Sequence, residues 1–235
     1  MTTNNGVHAP ACSRLSPDSL RQLVSRQTYG TILLDPPWQF ANRTGKVAPE
    51  HRRLHRYQTM ALAEIAALPI GEIAASQSHL YLWVPNALLL EGLQVMRAWG
   101  FTYKTNLVWY KTRKDGGPDG RGVGFYFRNV TELLLFGVRG RLRTAAPGRR
   151  QVNILISRKR EHSRKPDEIY DLIERCSPAP YVELFARHER PGWLQLGDEL
   201  QGSGPTATNG QTPAPAEVAP LRLLETRSRY KVAAS

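Results

Sequence analysis

The sequence predicts an α/β protein whose sheet is mostly parallel and is covered by helices on both faces. Two alternating sequence patterns lead to this prediction. Apolar runs of strand length alternate along the chain with stretches whose apolar residues recur at helical spacing. Because successive strands are then joined by helical crossovers, the strands are expected to run parallel, with helices packed on either face.

The predicted elements follow from local signals. Strands are expected at TILL (31–34), HLYLWV (79–84), TNLVWYK (105–111), ELLLFGV (132–138) and YVELFA (181–186). Helices are expected at 16–27, 59–68, 87–99 and 166–176, with Ser16 and Asn86 as N-caps, Pro17 and Pro166 as opening residues and Gly100 as a terminator. The basic segments 39–57 and 140–164 lack periodicity and are predicted to be irregular.

Three parts of the chain are predicted. Residues 1–28 form an N-terminal extension with a helix, and residues 29–200 form the main domain. Residues 201–235 form a flexible linker and tail, because 201–220 consist largely of Gly, Ser, Pro, Thr and Ala.

The charge of the chain predicts a polyanionic partner. Its 235 residues carry a formal net charge of +12, with a pI of about 10.1. The basic residues are clustered in HRRLHR (51–56), RGRLRTAAPGRR (139–150) and SRKREHSRK (157–165). Nucleic acid is the simplest partner for such clusters, and Arg52, Arg53, Arg149 and Arg150 are expected to contact its phosphates. Clusters of this kind are also found as solvated loops.

The composition also bears on location. No apolar run reaches membrane-helix length, and the N-terminus lacks a secretory signal pattern, so a cytoplasmic protein is expected, nucleoid-associated if bacterial. Cys12 and Cys176 are expected to be free thiols, and two cysteines cannot build a cysteine-rich zinc site. No metal is predicted.

The segment Asp35-Pro36-Pro37-Trp38 directly follows the strand TILL. Two prolines make it stiff, and ligands of open α/β sheets bind where strands end. The Asp35 carboxylate and the Pro36 carbonyl can accept the two N–H bonds of an exocyclic adenine amine, which frees the nitrogen lone pair for attack on a methyl group. Trp38 can stack on a base that is flipped out or single-stranded.

These residues resemble a known family. DPPW, followed by YQTM, LYLWVPN, KPDEIYDLIERCSP and ELFAR, is similar to the adenine-N(6) methyltransferases of the MT-A type over about residues 30–200. That family includes the catalytic subunit of the messenger-RNA adenosine methyltransferase and bacterial and phage DNA methyltransferases. The resemblance implies a Rossmann-like, S-adenosylmethionine-dependent methyltransferase fold in which the catalytic motif precedes the cofactor motif.

The resemblance also implies roles for individual residues. It makes Asp35, Pro36, Pro37 and Trp38 catalytic, and it places Tyr57 and Glu132 on the substrate side. It implies that S-adenosylmethionine contacts a set of mostly polar residues: Asp35, Lys165, Glu183, Phe185, Arg187, His188, Asp198 and Glu199. The activity it implies is methylation of the adenine amine in DNA, since the chain has no zinc-finger cysteines or added RNA module.

Several alternatives stay open at this point. The substrate could be RNA, or the chain could be a non-catalytic partner of an active subunit. A purely nucleic-acid-binding module would account for the charge alone. Related motifs, with Asn or Asp followed by Pro-Pro and an aromatic residue, also occur in enzymes that methylate cytosine or glutamine. A homodimer or a partner subunit could complete the nucleic-acid groove.

Overall fold

The chain folds around one seven-stranded sheet. The computed structural model describes residues 20–21, 27–39, 59–120, 126–158 and 164–197. The strands are β1 (Tyr29–Leu34), β2 (Ala74–Val84), β3 (Thr102–Thr112), β4 (Thr131–Arg139), β5 (Ile154–Arg158), β6 (Tyr181–Leu184) and β7 (Trp193–Leu196). The helices are α1 (Leu62–Ala66), α2 (Ile70–Ile73), α3 (Leu89–Ala98) and α4 (Glu168–Cys176).

The sheet has the order β5-β3-β4-β2-β1-β6-β7. Only β4 runs antiparallel to its neighbours, β2 and β3, whereas the other four strand pairings are parallel. All strands except β4 therefore end at the same edge of the sheet, which we call the carboxyl edge, and β4 begins there. The mostly parallel α/β sheet expected from the sequence is confirmed.

Each face of the sheet buries its own apolar cluster, because successive side chains of a strand point to opposite faces. Ile32 and Leu34 of β1 belong to the cluster that includes Val95 and Met96 of α3. Leu33 belongs to the other cluster, with residues of α4 such as Ile169 and Ile173. The helices thus cover both faces, as predicted.

The sequence missed two strands and misassigned one cap. β5 lies inside the basic segment that was expected to be irregular, and β7 is only four residues long. The helix after β2 begins at Leu89, behind a 3₁₀ turn over Asn86–Leu88, so Asn86 is not its N-cap. Instead, the Asn86 amide donates to the Thr131 carbonyl at 3.2 Å and so ties the end of β2 to the start of β4.

Other sequence predictions have mixed outcomes. Gly100 ends α3 with a φ of +80°, as expected of a helix terminator. Cys176 is a buried free thiol, while Cys12 and most of the predicted N-terminal helix lie outside the described residues. The unit formed by Thr206–Ser235 also lies outside them, so the domain boundaries remain predictions. Within the described residues, no helix has the length and apolar character needed to cross a membrane.

Candidate active site

Asp35 is the first residue after β1, at the carboxyl edge of the sheet. The backbone that follows it is held by two hydrogen bonds. The Trp38 N–H donates to the Pro36 carbonyl at 2.8 Å, and the Met60 N–H donates to the Pro37 carbonyl at 2.9 Å. A carbonyl oxygen has two lone pairs, so the Pro36 carbonyl retains capacity for a further donor while its direction is fixed.

Trp38 lies in the apolar core rather than on the surface. Its residue exposure is 6%, and its indole N–H donates to the Trp83 carbonyl at 2.9 Å. In this conformation Trp38 fixes the end of the Asp-Pro-Pro-Trp segment against β2. Stacking of its ring on a base remains a prediction, and it would require the covering residues to move.

Two carboxylates and two lysines form a continuous row of ion pairs beside this segment, which we call the ionic row. The Lys165 ammonium lies 3.0 Å from Asp35 Oδ2 and 2.7 Å from Glu132 Oε1. The Lys111 ammonium lies 2.7 Å from Glu132 Oε2. Lys165 thus bridges the two acids, and Glu132 is shared between the two lysines.

The sheet topology brings the ionic row together. Glu132 is at the start of β4 and pairs with Trp109 of β3, and Lys111 follows two residues later on β3. The row lies over the indole rings of Trp83 and Trp109, with Lys165 Nζ 5.2 Å from one ring centroid and Lys111 Nζ 4.7 Å from the other. The two ammonium groups therefore lie against the faces of the two tryptophan rings, where cation–π attraction stabilises them.

Burial and charge separate the two acids of the ionic row. Burial alone would raise the pKa of Glu132, but attraction from Lys165 and Lys111 lowers it to about 2. Burial raises the pKa of Asp35 above its usual range, against the attraction of Lys165 and with help from the negative charge of Glu132. The pKa of Lys165 is also raised, since the two carboxylates outweigh its desolvation. Of the two carboxylates, Asp35 therefore has the higher affinity for a proton.

A third acid that is largely buried lies near the end of β6. Glu183 is 8% exposed, and its Oε2 accepts hydrogen bonds from the Tyr170 hydroxyl at 2.9 Å and from the Gln195 amide. Burial raises the pKa of Glu183 to about 7, although both hydrogen bonds act in the opposite direction. Glu183 is thus poised between its neutral and ionised forms near neutral pH.

The chain turns sharply just after β6. Phe185 has a φ of +64°, a left-handed conformation that residues with a side chain adopt rarely and that is often found at ligand sites. Arg187 is half-buried, and its charge lowers the pKa of Asp35. His188 is exposed, and its carbonyl accepts a hydrogen bond from the Gln195 amide at 2.7 Å.

The end of β7 lies against this turn. A Cβ at Gly197 would come within 2.0 Å of the Ala186 carbonyl oxygen, so only glycine allows the two segments to approach this closely. Asp198 and Glu199, predicted to bind the cofactor, come directly after Gly197 but lie outside the described residues. Arg52, Arg53 and Tyr57 also lie outside them.

The structure corrects the expected position of Arg149 and Arg150. The basic segment 139–150 was expected to open onto the same side as Asp35, because it follows the strand that carries Glu132. β4 is antiparallel, so its last residue, Arg139, lies at the opposite edge of the sheet. The Ala145 N–H donates there to the carbonyl of Cys176, the last residue of α4.

The sequence did not identify Lys111 as a candidate site residue. A lysine at the end of an apolar strand is an ordinary surface residue in a sequence. The relevant signal is that TNLVWYK and ELLLFGV are consecutive strands, which makes their facing ends neighbours if they pair antiparallel. The residues of the two strands do not indicate whether they pair parallel or antiparallel.

An α/β sheet with one antiparallel strand and a carboxylate-containing site at its carboxyl edge is consistent with the α/β methyltransferase fold. Comparison with known proteins then identifies the family. Residues 29–199 match the MT-A70 family, and the chain belongs to this family of methyltransferases. The family resemblance read from the sequence is confirmed.

Three relatives illustrate the range of similarity. The chain is 30% identical over 179 residues to the N(6)-adenosine-methyltransferase MT-A70-like of Arabidopsis thaliana, and 29% over 178 residues to the human N(6)-adenosine-methyltransferase catalytic subunit METTL3. Each match covers 74% of this chain, but only 24% and 28% of the respective relative. The type II methyltransferase M.MunI of Mycoplasma sp is 27% identical over 199 residues, covering 78% of this chain and 82% of M.MunI. The chain thus spans about a quarter of the eukaryotic relatives and most of the bacterial one.

Proposed function

We propose that this protein transfers the methyl group of S-adenosylmethionine to the N6 amine of adenine in DNA. The observation that carries the proposal is the position of Asp35. Its carboxylate stands at the end of β1, bridged through Lys165 to Glu132, beside a Pro36 carbonyl whose direction is fixed. Membership of the MT-A70 family supports the reaction type.

The protein's part in the reaction is to orient the amine and to receive its proton. The adenine amine is a weak nucleophile because its lone pair is delocalised into the ring. Asp35 and the Pro36 carbonyl each accept a hydrogen bond from one N–H group of the amine. These two hydrogen bonds direct the nitrogen lone pair away from the protein and toward the methyl donor. Holding both reactants in this geometry supplies a large part of the catalysis. When the nitrogen gains the methyl group it loses a proton, which Asp35 accepts.

The residues around β6 are of the types that S-adenosylmethionine requires. Bound there, the cofactor supplies a methyl group activated by a positively charged sulfur. Glu183 is a buried acceptor suited to ribose hydroxyls, and Phe185 provides an aromatic surface at the strand end. Arg187 and Lys165 supply positive charge for the methionine carboxylate. This donor set supports the predicted cofactor, with Asp198 and Glu199 remaining as further predicted ligands.

The affinity for S-adenosylmethionine is expected to rise as the pH increases from 6 to 8. Because the pKa of Glu183 is about 7, the free protein holds a proton there at pH 6, and an ionised carboxylate is the stronger acceptor for hydroxyls. If the cofactor binds only when Glu183 is ionised, its apparent affinity falls as the pH drops below that pKa, approaching a tenfold loss per pH unit. Calorimetry across this pH range measures the effect.

Two variants identify the group responsible for this pH dependence. Glu183→Gln is expected to bind more weakly at pH 8 and to show a flat profile. Asp35→Asn removes the other acid at this edge whose pKa is raised, and it is expected to retain the slope. A slope that survives in Glu183→Gln would remove Glu183 from the cofactor site.

The share of each relative's length that this chain matches favours DNA as the substrate. The chain matches most of M.MunI, a type II methyltransferase, but only about a quarter of METTL3, an N(6)-adenosine-methyltransferase catalytic subunit. The net charge of +12 supports a nucleic-acid partner of either kind. RNA is the second candidate, supported by the names of the eukaryotic relatives.

The direction of β4 revises which basic residues are proposed to contact the nucleic-acid backbone. Lys114 lies two residues after β3, Arg128 lies shortly before β4, and Arg158 ends β5, so all three lie at the carboxyl edge with Asp35, where they are exposed. Arg149 and Arg150 are exposed near the opposite edge. A domain of this size presents a limited surface, so a homodimer or partner subunit remains a prediction, as does a cytoplasmic location.

Replacing Lys114 and Arg158 with alanine is expected to weaken DNA binding to all sequences and to reduce the slope of log affinity against log salt by about one per lost phosphate contact. Binding across a salt series measures both effects. The matched control is Arg149→Ala with Arg150→Ala, which removes the same charge near the opposite edge. If the control loses as much affinity and slope as the first pair, proximity to Asp35 does not define the nucleic-acid surface.

The proposed function is tested by supplying radiolabelled S-adenosylmethionine with DNA or RNA substrates of the same base sequence. Incorporation into DNA supports the proposal, and incorporation confined to RNA establishes the second candidate. No incorporation into either, from protein that binds S-adenosylmethionine, would point to a non-catalytic partner subunit and contradict the proposal.

A further inference from the structure

Lys111 stands at one end of the ionic row, next to Glu132. It is the penultimate residue of β3, and its side chain is only 18% exposed. Its ammonium group bonds Glu132 Oε2 at 2.7 Å, on the oxygen that Lys165 does not contact, and lies over the ring of Trp109.

The contacts of Lys111 make the two acids of the ionic row unequal. Glu132 faces Lys111 from β3, Lys165 from the segment before α4, and the carboxylate of Asp35 from the end of β1. Each of its oxygens therefore has its own ammonium partner. Two such partners stabilise the charged form of a carboxylate strongly.

Asp35 has a different set of neighbours. It shares the Lys165 ammonium with Glu132, and the charge of Arg187 reaches it from the segment after β6. The carboxylate of Glu132 opposes its ionisation. The charge of Asp35 in turn raises the pKa of Glu183. Asp35 is thus the acid of the row that is compensated less well.

We propose that Lys111 is a positioning residue that holds Glu132 as the permanent anion of the site, so that Asp35 is the carboxylate left to accept the proton of the substrate amine. This inference rests on the proposed function. When the amine nitrogen forms its bond to the methyl carbon, the electron pair of the carbon–sulfur bond stays on sulfur, which becomes neutral. The nitrogen then carries one proton in excess, and that proton passes to an Asp35 oxygen.

In this arrangement Lys111 acts through Glu132 and does not touch the substrate. Without Lys111, Glu132 would depend on Lys165 alone and would draw that ammonium away from Asp35. Glu132 would then compete with Asp35 for the proton. The two carboxylates would both be ionised only at higher pH. The charge on Lys111 is therefore expected to set the pH range in which Asp35 is available.

The direct test is a carboxyl carbon NMR titration of the folded protein, with the Asp35 and Glu132 signals assigned from Asp35→Asn and Glu132→Gln. In Lys111→Met the pKa of Glu132 is expected to rise by at least about one unit, and Lys111→Arg is expected to restore it. Lys104→Met, at an exposed position of the same strand, is the control and is expected to match wild type. This readout does not require activity, so it remains informative if the proposed function fails.

The second readout is the pH profile of methyl transfer. Lys111→Met is expected to move the acid limb to higher pH and so to lower kcat on that limb by about tenfold for each pH unit that the limb moves, with the KM for S-adenosylmethionine changed less than threefold. In the Glu132→Gln background, Lys111→Met is expected to add no further shift. An unchanged Glu132 titration in Lys111→Met would overturn the proposal, and so would a shifted titration with an unshifted acid limb in active enzyme.

Discussion

Asp35→Ala is expected to lower the rate of methyl transfer by about 10²- to 10³-fold while leaving the affinity for S-adenosylmethionine within several-fold of wild type. Removing one positioned hydrogen-bonding group from a reacting centre typically has an effect of this size. The alanine variant loses one of the two acceptors for the amine and also the group that takes its proton. Single-turnover transfer to DNA and calorimetry with the cofactor measure the two quantities separately.

The fold is expected to survive this substitution. Lys165 keeps its 2.7 Å contact with Glu132, so no buried charge loses its last partner. Asp115→Ala provides the control, because Asp115 is an exposed aspartate at the same edge of the sheet, paired with Arg113. That variant is expected to be fully active. An active Asp35→Ala enzyme would refute the mechanism.

Lys165→Met is expected to impair both stability and activity. The ammonium group joins Asp35 to Glu132, and the three side chains are only 16–18% exposed. Without it two buried carboxylates face each other across the gap, which is expected to cost about 3 kcal/mol of folding free energy, the lower end of the range for breaking buried ion pairs. Methyl transfer is expected to fall about 10²-fold or more, because Asp35 loses its orientation.

The stability loss in Lys165→Met has a characteristic pH dependence. Without the cation, the pKa of Asp35 in the folded protein, which is already raised, rises further, and the pKa of Glu132 rises with it. The loss is therefore largest above pH 7 and shrinks as the pH falls and the carboxyls bind protons. Denaturant unfolding at pH 5 and pH 8 measures it, with Lys104→Met as control. A loss equal at both pH values would indicate that the lysine stem, rather than its charge, stabilises the site.

Much of the site could be predicted because its signals are local. The strand TILL runs into Asp35-Pro36-Pro37-Trp38, and both the strand end and its stiffness follow from the residues themselves. The burial of Glu183 at the end of a strand follows from YVELFA in the same way. The family resemblance added Glu132 and Lys165, and in the structure the Lys165 ammonium lies within hydrogen-bonding distance of both Glu132 and Asp35.

The errors concern strand direction and tertiary contacts. ELLLFGV is clearly a strand, but its residues do not specify that β4 runs antiparallel. That direction brings Lys111 beside Glu132 and carries Arg149 and Arg150 toward the opposite edge. Neither consequence was accessible from the sequence alone.

Other misses have similar causes. Asn86 has the residue type of an N-cap, but a carbonyl and a hydroxyl on Thr131 compete successfully for its amide. The contacts of Trp38 were likewise not predictable: its ring packs in the core and the Trp83 carbonyl accepts a hydrogen bond from the indole N–H, while stacking on a base stays a prediction. β7 contains only WLQL and pairs as an edge strand, so its pattern is too short to identify.

The central claim is that the methyl group arrives on the N6 amine of adenine. The most direct measurement is nucleoside mass spectrometry of DNA incubated with the enzyme and S-adenosylmethionine that carries a trideuterated methyl group. The account predicts trideuteromethyl on N6 of deoxyadenosine with wild-type protein and none with Asp35→Ala. Label on deoxycytidine, or equal label on deoxyadenosine with both proteins, would contradict it.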